Sequence, residues 1–448
     1  MSGWVAARLV FVAVLQVVYF AALIRILPAS DFGEVAIAMV VLMAVDVLSQ
    51  TGVDLAILRQ RGDILQYLDA AWSLSVVRGL ALAVIVLAIA GGVSLFYDSS
   101  RVAGLIAAAA LVPVIDGLQS KSVVLLGRDL RQRELSIAET SATVVSMLSG
   151  IWLALWLESP WAVVWNMVLF SAFRTLGTFV VHPHRPGFTL QWGCLRPFLR
   201  YGVFFNLSGV VQQALVSIDR LFIARLLGLA PLGLYDRCFT LSSYLVNQAH
   251  RFLSATVYPG LAAVQEDPAR LRRLTRFYVT AAAALYGGGS VILFLGSEVI
   301  VHRFIGEVFL ASVPEYRASA LWMFRVLIIS VAFRGSMLAF QILFDLHNRV
   351  HLRFVTSLVQ LAVLGVALPI GCIHGGLRGA AVAVALSAAC GQFLTIVFLS
   401  RLLNELHRAE RSKNSAGSTL PEDDVSADDN EAASVGASGL ARALGTSR

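Results

Sequence analysis

Apolar residues occur along this chain in blocks of about 20, and short turns that carry charged residues separate the blocks. Blocks of this length match the hydrocarbon core of a bilayer, and they are too long and too uniformly apolar for the strands of a membrane barrel. The pattern predicts twelve membrane-spanning helices. They lie at about 4–27, 32–58, 70–96, 101–127, 135–157, 160–182, 201–228, 232–259, 275–297, 316–345, 352–373 and 376–403.

Composition supports an integral membrane protein. Of the 448 residues, 58% are hydrophobic and only 14% are charged, which excludes a soluble globular protein of ordinary make-up. The first apolar block lacks a cleavage site followed by a soluble domain, so we interpret it as the first span and not as a signal peptide. The four cysteines show no spacing typical of a disulfide framework or a zinc site.

Positive charge is distributed unequally between the two sets of loops. The loops after even-numbered spans carry eighteen arginines and lysines, whereas the other set carries six at most. Because cytoplasmic loops hold the excess of Lys and Arg, both termini are predicted to lie in the cytoplasm. This topology accounts for most of the net charge of +7, and no nucleic-acid partner is expected.

A stretch near the middle of the chain repeats a stretch near its start. Residues 222–236 echo residues 22–36, with Arg25 matching Arg225, Leu27 matching Leu227 and Gly33 matching Gly233 at a constant offset of 200. Such internal repeats are typical of transporters. We therefore predict two parallel-running halves of six helices each, over 1–182 and 201–405, joined by a cytoplasmic linker over 183–200. The Ser-, Ala-, Gly- and acid-rich segment 406–448 is predicted to be a disordered cytoplasmic tail.

Polar residues recur at helical spacing inside three predicted spans. Span seven carries Asn206, Gln213, Ser217 and Arg220; span eight carries Asp236, Thr240, Tyr244, Asn247 and Arg251; span two carries Asp46, Gln50 and Asp54. Such stripes face either a neighbouring helix or a water-filled cavity, because lipid would leave them unsatisfied. Two full-length stripes on adjacent helices favour a hydrated lumen.

Charges within the spans form the candidate substrate site. Arginine and lysine are the natural partners of phosphate and diphosphate. The candidate substrate-binding residues are Arg220, Arg251, Arg325, Arg334, Arg78, Lys121, Gln213, Asn247 and Tyr244. For any one cation, an internal salt bridge or snorkelling is the alternative, with Asp219–Arg220 and Asp116–Lys121 as candidate pairs.

Four acidic residues are candidates for coupling to an ion gradient: Asp46, Asp54, Asp116 and Glu139. The sequence does not choose between protons and sodium ions. It contains no catalytic or metal-binding motif, so no catalytic residue, cofactor or metal ligand is predicted.

The segments "DRLFIARLLGLAPLGLYDR", "NQAHRFLSATVYPGLAAVQED" and "RILPASDFGEVAIA" resemble the polysaccharide-transport branch of the multidrug/oligosaccharidyl-lipid/polysaccharide exporter superfamily, the Wzx-type flippases. The resemblance implies an all-α protein of the bacterial inner membrane, with two six-helix bundles around a central cavity that opens alternately to each face. It implies a cargo of polyprenyl-diphosphate-linked oligosaccharide, moved from the inner to the outer leaflet through a cationic lumen. Membrane lipid, a polysaccharide polymerase and a chain-length regulator are the other partners it implies.

Two other functions are alternatives to a glycan-lipid flippase. A cation-coupled multidrug exporter of the same superfamily would favour an acidic, aromatic cavity, and the excess of arginine argues against it. A membrane glycan polymerase or ligase would carry a large outer loop rich in Arg and His. The best candidate loop, 298–315, is short and offers only His302 and Arg303.

Overall fold

The computed structural model describes residues 3–49, 65–97, 99–123, 132–181, 185–189, 192–262, 268–346 and 349–417, and these ranges contain helices and turns but no strand. We number the long helices α1 Gly3–Ile26, α2 Ala29–Ser49, α3 Leu65–Tyr97, α4 Ser100–Ala109, α5 Leu111–Gly117, α6 Gln132–Leu157, α7 Trp161–Val181, α8 Trp192–Leu226, α9 Leu229–Ala262, α10 Pro268–Leu295, α11 Arg317–Leu346 and α12 Val350–Gly417. Short helical turns over 297–316 connect α10 to α11.

The predicted all-helical membrane class is confirmed. Each of the twelve predicted spans overlaps a helix, and within the described ranges seven segments are long and apolar enough to cross a membrane. The apolar segment Phe11–Ile26 of α1 is shorter. Large apolar side chains such as Val84, Ile292 and Val366 are exposed on the helix surfaces. Such surfaces suit a lipid solvent, in which the hydrophobic effect does not drive apolar side chains inward.

The fourth predicted span, 101–127, is wrong in extent. Its helix is interrupted at Ala110 and ends at Gly117, and residues 118–122 form turns. Pro113 supplies the physical reason for the interruption. It has no backbone N–H to donate to Ala109, so the helix restarts with Pro113 in its first turn. The indole of Trp72 then donates a hydrogen bond of 3.0 Å to the Leu118 carbonyl.

The last two predicted spans are two arms of α12, separated where the sequence pattern placed their boundary. The backbone at Gly376 has φ 55° and ψ −138°, a conformation open essentially to glycine alone. The arms pack closely at Gly371 and Gly379, where a Cβ on either residue would collide with the backbone carbonyl of the other. Helix α12 continues to Gly417, so the first residues of the predicted tail are helical; residues 418–448 lie outside the described ranges.

The offset of 200 seen in the sequence also holds for helix boundaries. Helix α1 ends at Ile26 and α8 at Leu226, while α2 begins at Ala29 and α9 at Leu229. Pro28 makes the first of these turns, and Gly228, with φ 101°, makes the second. The two turns are therefore equivalent in position although different residues produce them.

The first turns of α2 and α9 cross in contact, and the contact is reciprocal. A Cβ on Gly33 would collide with the Leu229 carbonyl oxygen, and a Cβ on Gly233 would collide with the Ala29 carbonyl oxygen. The offset of 200 relates Gly33 to Gly233 and Ala29 to Leu229, so each of the two contacts repeats the other. This is the geometry that two copies of one helix end produce when they pack around a two-fold axis.

The same region holds further contacts between early and late helices. Arg237 on α9 lies over the rings of Phe20 and Phe32, at 4.8 and 4.2 Å from their centroids. Phe32 packs against Phe309 with centroids 5.6 Å apart, and the Ala29 amide donates to the Ser312 hydroxyl at 3.3 Å. We call this set of contacts, with the Gly33–Gly233 crossing, the α2–α9 seam.

The glycine run 287–289 in α10 makes no close helix contact with the described residues. A Cβ on any of the three would meet no atom within 4 Å, and α10 runs continuously through them. We have no physical account of this run.

Candidate functional site

A buried ionic network joins the ends of α8 and α9, which the short turn at Gly228 holds side by side. The Arg220 Nε donates a hydrogen bond of 2.7 Å to Asp236 Oδ1, and a guanidinium nitrogen lies 3.7 Å from Asp219 Oδ1. The same guanidinium donates to the Val216 carbonyl. Arg237 donates to the other oxygen of Asp236 at 2.6 Å. Two acids and two arginines thus neutralise one another inside the protein.

The neighbouring tyrosine completes this network. The hydroxyl of Tyr235, a fully buried side chain, donates to Asp219 Oδ2 at 2.6 Å, and the Arg220 amide donates to Asp219 Oδ1 at 2.9 Å. Removing one member of a buried ion pair typically costs about 3–5 kcal/mol, because the remaining charge is left without compensation. Arg220, predicted as a substrate ligand, therefore has a structural role as well.

Arg334 is placed differently from Arg220, although both contact the same ring. The Cζ atoms of Arg220 and Arg334 lie 5.0 and 5.5 Å from the centroid of Phe239. Arg334 lies near the middle of α11, is half-buried, and forms no hydrogen bond or ion pair within the part of the chain that the structure describes. An intramembrane guanidinium without such a bond retains the capacity to bind an anion.

Two other predicted arginines pair with carboxylates that are open to their surroundings. Arg78 on α3 donates to Asp46 on α2 at 2.7 Å, and the Asp46 side chain is 60% exposed. Arg325 donates to Ser297 at 2.9 Å and to Glu298 at 3.1 Å, with Glu298 65% exposed. By contrast, the side chains of Asp219 and Asp236 are only 1% and 7% exposed. The protein therefore encloses the Arg220 network but leaves the carboxylates of these two pairs open.

The uncharged candidates occupy three different environments. Gln213 donates to Ser217 one turn along α8 at 2.7 Å. The Tyr244 hydroxyl donates to the Ala13 carbonyl at 2.7 Å and lies 3.2 Å from Gln16 Oε1, so it links α9 to α1. Asn247 is exposed on α9. Arg220 and Tyr244 thus make the helix–helix hydrogen bonds that the sequence left as an alternative to a lumen.

The acidic candidates are likewise dispersed. Asp116 accepts hydrogen bonds from Gln119 at 2.7 Å and from the Ser171 hydroxyl at 2.6 Å. Glu139 lies half-buried on α6 and Lys121 lies half-buried in the turn after α5. Asp54 lies outside the described residues, and Arg251 belongs to α9 but its side chain lies outside the described part.

Sequence reasoning missed two clusters. Arg237 was passed over, although Asp236–Arg237 repeats the Asp219–Arg220 dipeptide, and that repetition was the available signal. Arg101 was counted only as a loop charge, yet it lies 3.4 Å from both Asp31 and Glu34 and donates to Ser159 at 3.0 Å. It ties the start of α4 to the beginning of α2, where Asp31 lies in the first turn and a negative charge next to the helix N–H groups is favoured.

Two solved structures of membrane transport proteins share the helical arrangement of this chain. One solved structure, an inward-facing multidrug resistance MATE family transporter of the MOP superfamily, superposes with a TM-score of 0.65 over 89% of this chain and 95% of its own, at 12% identity. The lipid II flippase MurJ, in an inward closed conformation, superposes with a TM-score of 0.67 over 89% of this chain and 88% of its own, also at 12% identity. Both likenesses concern the fold.

The sequence places the chain within a protein family. The profile of a family described as polysaccharide biosynthesis protein matches residues 22–314, and the chain belongs to that family. It is 23% identical over 310 residues to the lipopolysaccharide biosynthesis protein WzxC of Escherichia coli K12, covering 69% of this chain and 62% of that protein. It is 21% identical over 329 residues to the teichuronic acid biosynthesis protein TuaB of Bacillus subtilis, covering 72% and 67%. The matched part thus spans about three fifths of WzxC.

Proposed function

We propose that this protein is a flippase for a polyprenyl-diphosphate-linked oligosaccharide in the bacterial cytoplasmic membrane, with both termini in the cytoplasm. Membership of a polysaccharide biosynthesis family and a fold shared with a lipid II flippase support membrane transport of a lipid-linked glycan. Arg334 is the observation that carries the choice of a diphosphate cargo. It is a guanidinium within a membrane-spanning helix that has no hydrogen-bonded partner among the described residues.

The chemistry of Arg334 suits this role. A charge inside the membrane is expensive and normally functional, and arginine binds phosphate oxygens through two parallel hydrogen bonds. Arg220 lies on the same ring of Phe239 and keeps its own charge compensated by Asp236. Because the charge of Arg220 is compensated, the positive charge of Arg334 remains available to a diphosphate bound there.

Transport would proceed by movement of the two predicted halves against each other, without covalent chemistry. The sugars would contact polar side chains of the cavity, and the polyprenyl chain would remain in lipid. Coupling to a proton or sodium gradient through Asp46, Asp54, Asp116 or Glu139 is part of this proposal, as is cooperation with a polysaccharide polymerase and a chain-length regulator.

The test compares Arg334→Ala, Arg334→Lys and wild type in cells that depend on this protein to display the glycan. We expect Arg334→Ala to abolish display at unchanged protein level and Arg334→Lys to retain part of it, because lysine keeps the charge but loses the two-pronged geometry. Ser146→Ala is the matched control, since that buried hydroxyl donates only to Thr143 of its own helix. Full display with Arg334→Ala would contradict the proposal.

A further inference from the structure

Arg78 on α3 and Asp46 on α2 form an ion pair between these helices. Arg78 lies in Leu68–Val93, a segment apolar and long enough to cross the membrane, ten residues from the end of the segment that is predicted to be cytoplasmic. Their charged atoms are 2.7 Å apart. The guanidinium side chain is 28% exposed and the carboxylate side chain 60%, so the pair borders open space and is not sealed in the core.

The backbone beside Arg78 is held firmly. A Cβ on the next residue, Gly79, would collide with the Pro113 carbonyl, and a Cβ on Gly117 would come within 2.7 Å of the Ser75 carbonyl. Helices α3 and α5 therefore pack backbone to backbone at this level. The position of Arg78 is fixed by that packing and does not depend on Asp46.

A phosphate can replace a carboxylate opposite an arginine without change of geometry. Both groups present two oxygens to two N–H groups of the guanidinium. In the Arg220–Asp236 pair such a replacement would deprive a buried carboxylate of one of its two arginine partners. Asp46 is mostly exposed, so in the water-filled cavity that the proposed function requires it would be hydrated when released, and a hydrated ion pair opposes its own separation only weakly.

We propose that Arg78 is an exchange site for the diphosphate, in which Asp46 occupies the guanidinium until a phosphate of the cargo displaces it. The inference rests on the proposed function and adds the residue that first receives the cargo at the predicted cytoplasmic end. Asp46 then acts as an internal competitor. It keeps an intramembrane cation neutralised while no cargo is bound and lowers the affinity of the site for stray anions.

The experiment measures binding of inorganic pyrophosphate to the purified full-length protein in detergent by isothermal titration calorimetry. Removing the competitor with Asp46→Asn should raise the affinity about fivefold, which is the scale expected for loss of an exposed pair. Arg78→Ala should lower the affinity, and the double variant should behave like Arg78→Ala. Asp31→Asn is the matched control, because Asp31 lies on the same helix and beside an arginine, yet is buried; we expect it to leave the affinity unchanged.

The outcomes separate this inference from the proposed function. If Asp46 only orients Arg78, Asp46→Asn will weaken binding, and the exchange is then wrong. A second result would also overturn the exchange: pyrophosphate binding that is lost in Arg334→Ala but equals wild-type binding in Asp46→Asn and Arg78→Ala. The flippase proposal would then stand. No pyrophosphate binding by the wild-type protein would overturn the diphosphate cargo, and the exchange with it.

Discussion

Arg220 illustrates how far a single residue can be interpreted before its partners are known. The sequence identifies it as an intramembrane charge and pairs it with its neighbour, Asp219. The shorter bond goes to Asp236, sixteen positions later, because the turn at Gly228 places α9 against α8. Residue type and depth were predictable. The choice of partner was not, since it depends on the rotation of two helices about their axes.

At this scale we predict that Arg220→Ala will lower stability as well as transport. It would leave Asp219 and Asp236 with one fewer compensating charge, at a cost of about 3–5 kcal/mol in the free energy of unfolding. Thermal unfolding in detergent would measure this loss. An Arg220→Ala protein as stable as wild type would show that the network does not hold α8 and α9 together.

Tyr235→Phe tests the same network through one hydrogen bond. The hydroxyl donates to a carboxylate in a fully buried position, and such bonds contribute about 1.5–3 kcal/mol. We expect a lower melting temperature, whereas Tyr97→Phe, which removes a 3.3 Å bond to the Leu221 carbonyl, should cause a smaller change. Equal effects of the two variants would contradict this ranking.

At the scale of elements, periodicity and apolar length predicted where helices lie, and particular residues decided where they stop. The pattern placed the boundary of the last two spans beside Gly376 because the apolar run is divided there by His374, two glycines and Arg378. It missed the interruption at Ala110, since Ala, Leu and Val continue through it and only Pro113 marks the change. The early start of α8, at Trp192, was also missed, because polar residues there interrupt the apolar pattern.

Glycine packing gives a prediction for helix ends. Gly33→Ala and Gly233→Ala each place a methyl group against a backbone carbonyl that cannot rotate away, so α2 and α9 must separate. We expect both variants to melt at lower temperature than wild type and to lose transport. Gly91→Ala is the matched control: its Cβ meets nothing within 4 Å, and alanine favours a helix by about 1 kcal/mol over glycine. A stable, active Gly33→Ala protein would contradict the crossing.

At the scale of the whole molecule, the orientation in the membrane stays a prediction from the arginine distribution. Eighteen positive residues on one side against six at most on the other predict cytoplasmic termini. A green fluorescent protein fused after Arg448 should fluoresce, and alkaline phosphatase at the same position should be inactive. The opposite pair of results would show that the orientation in the membrane is the reverse of the predicted one, with Arg78 towards the outer face.

The two predicted halves were inferred from few identities, and the folded chain makes them easier to recognise. Three matches in fifteen residues carried the argument from sequence. Coincident helix boundaries at Ile26 and Leu226, and at Ala29 and Leu229, extend the match to residues that differ in type. Sequence comparison could not find these, since Pro28 and Gly228 make equivalent turns by different means.

The α2–α9 seam constrains how proteins of this kind can be recombined. Each of the two helices contributes a glycine to one contact and a backbone carbonyl oxygen to the other. A larger residue at either glycine therefore cannot be compensated by changing another side chain of the same helix. In a hybrid built from the first six helices of one relative and the last six of another, these two contacts would form only if each parent has glycine at its own position of the pair. Engineers who exchange such portions to redirect cargo should therefore choose parents by these two positions before any residue of the cavity is considered.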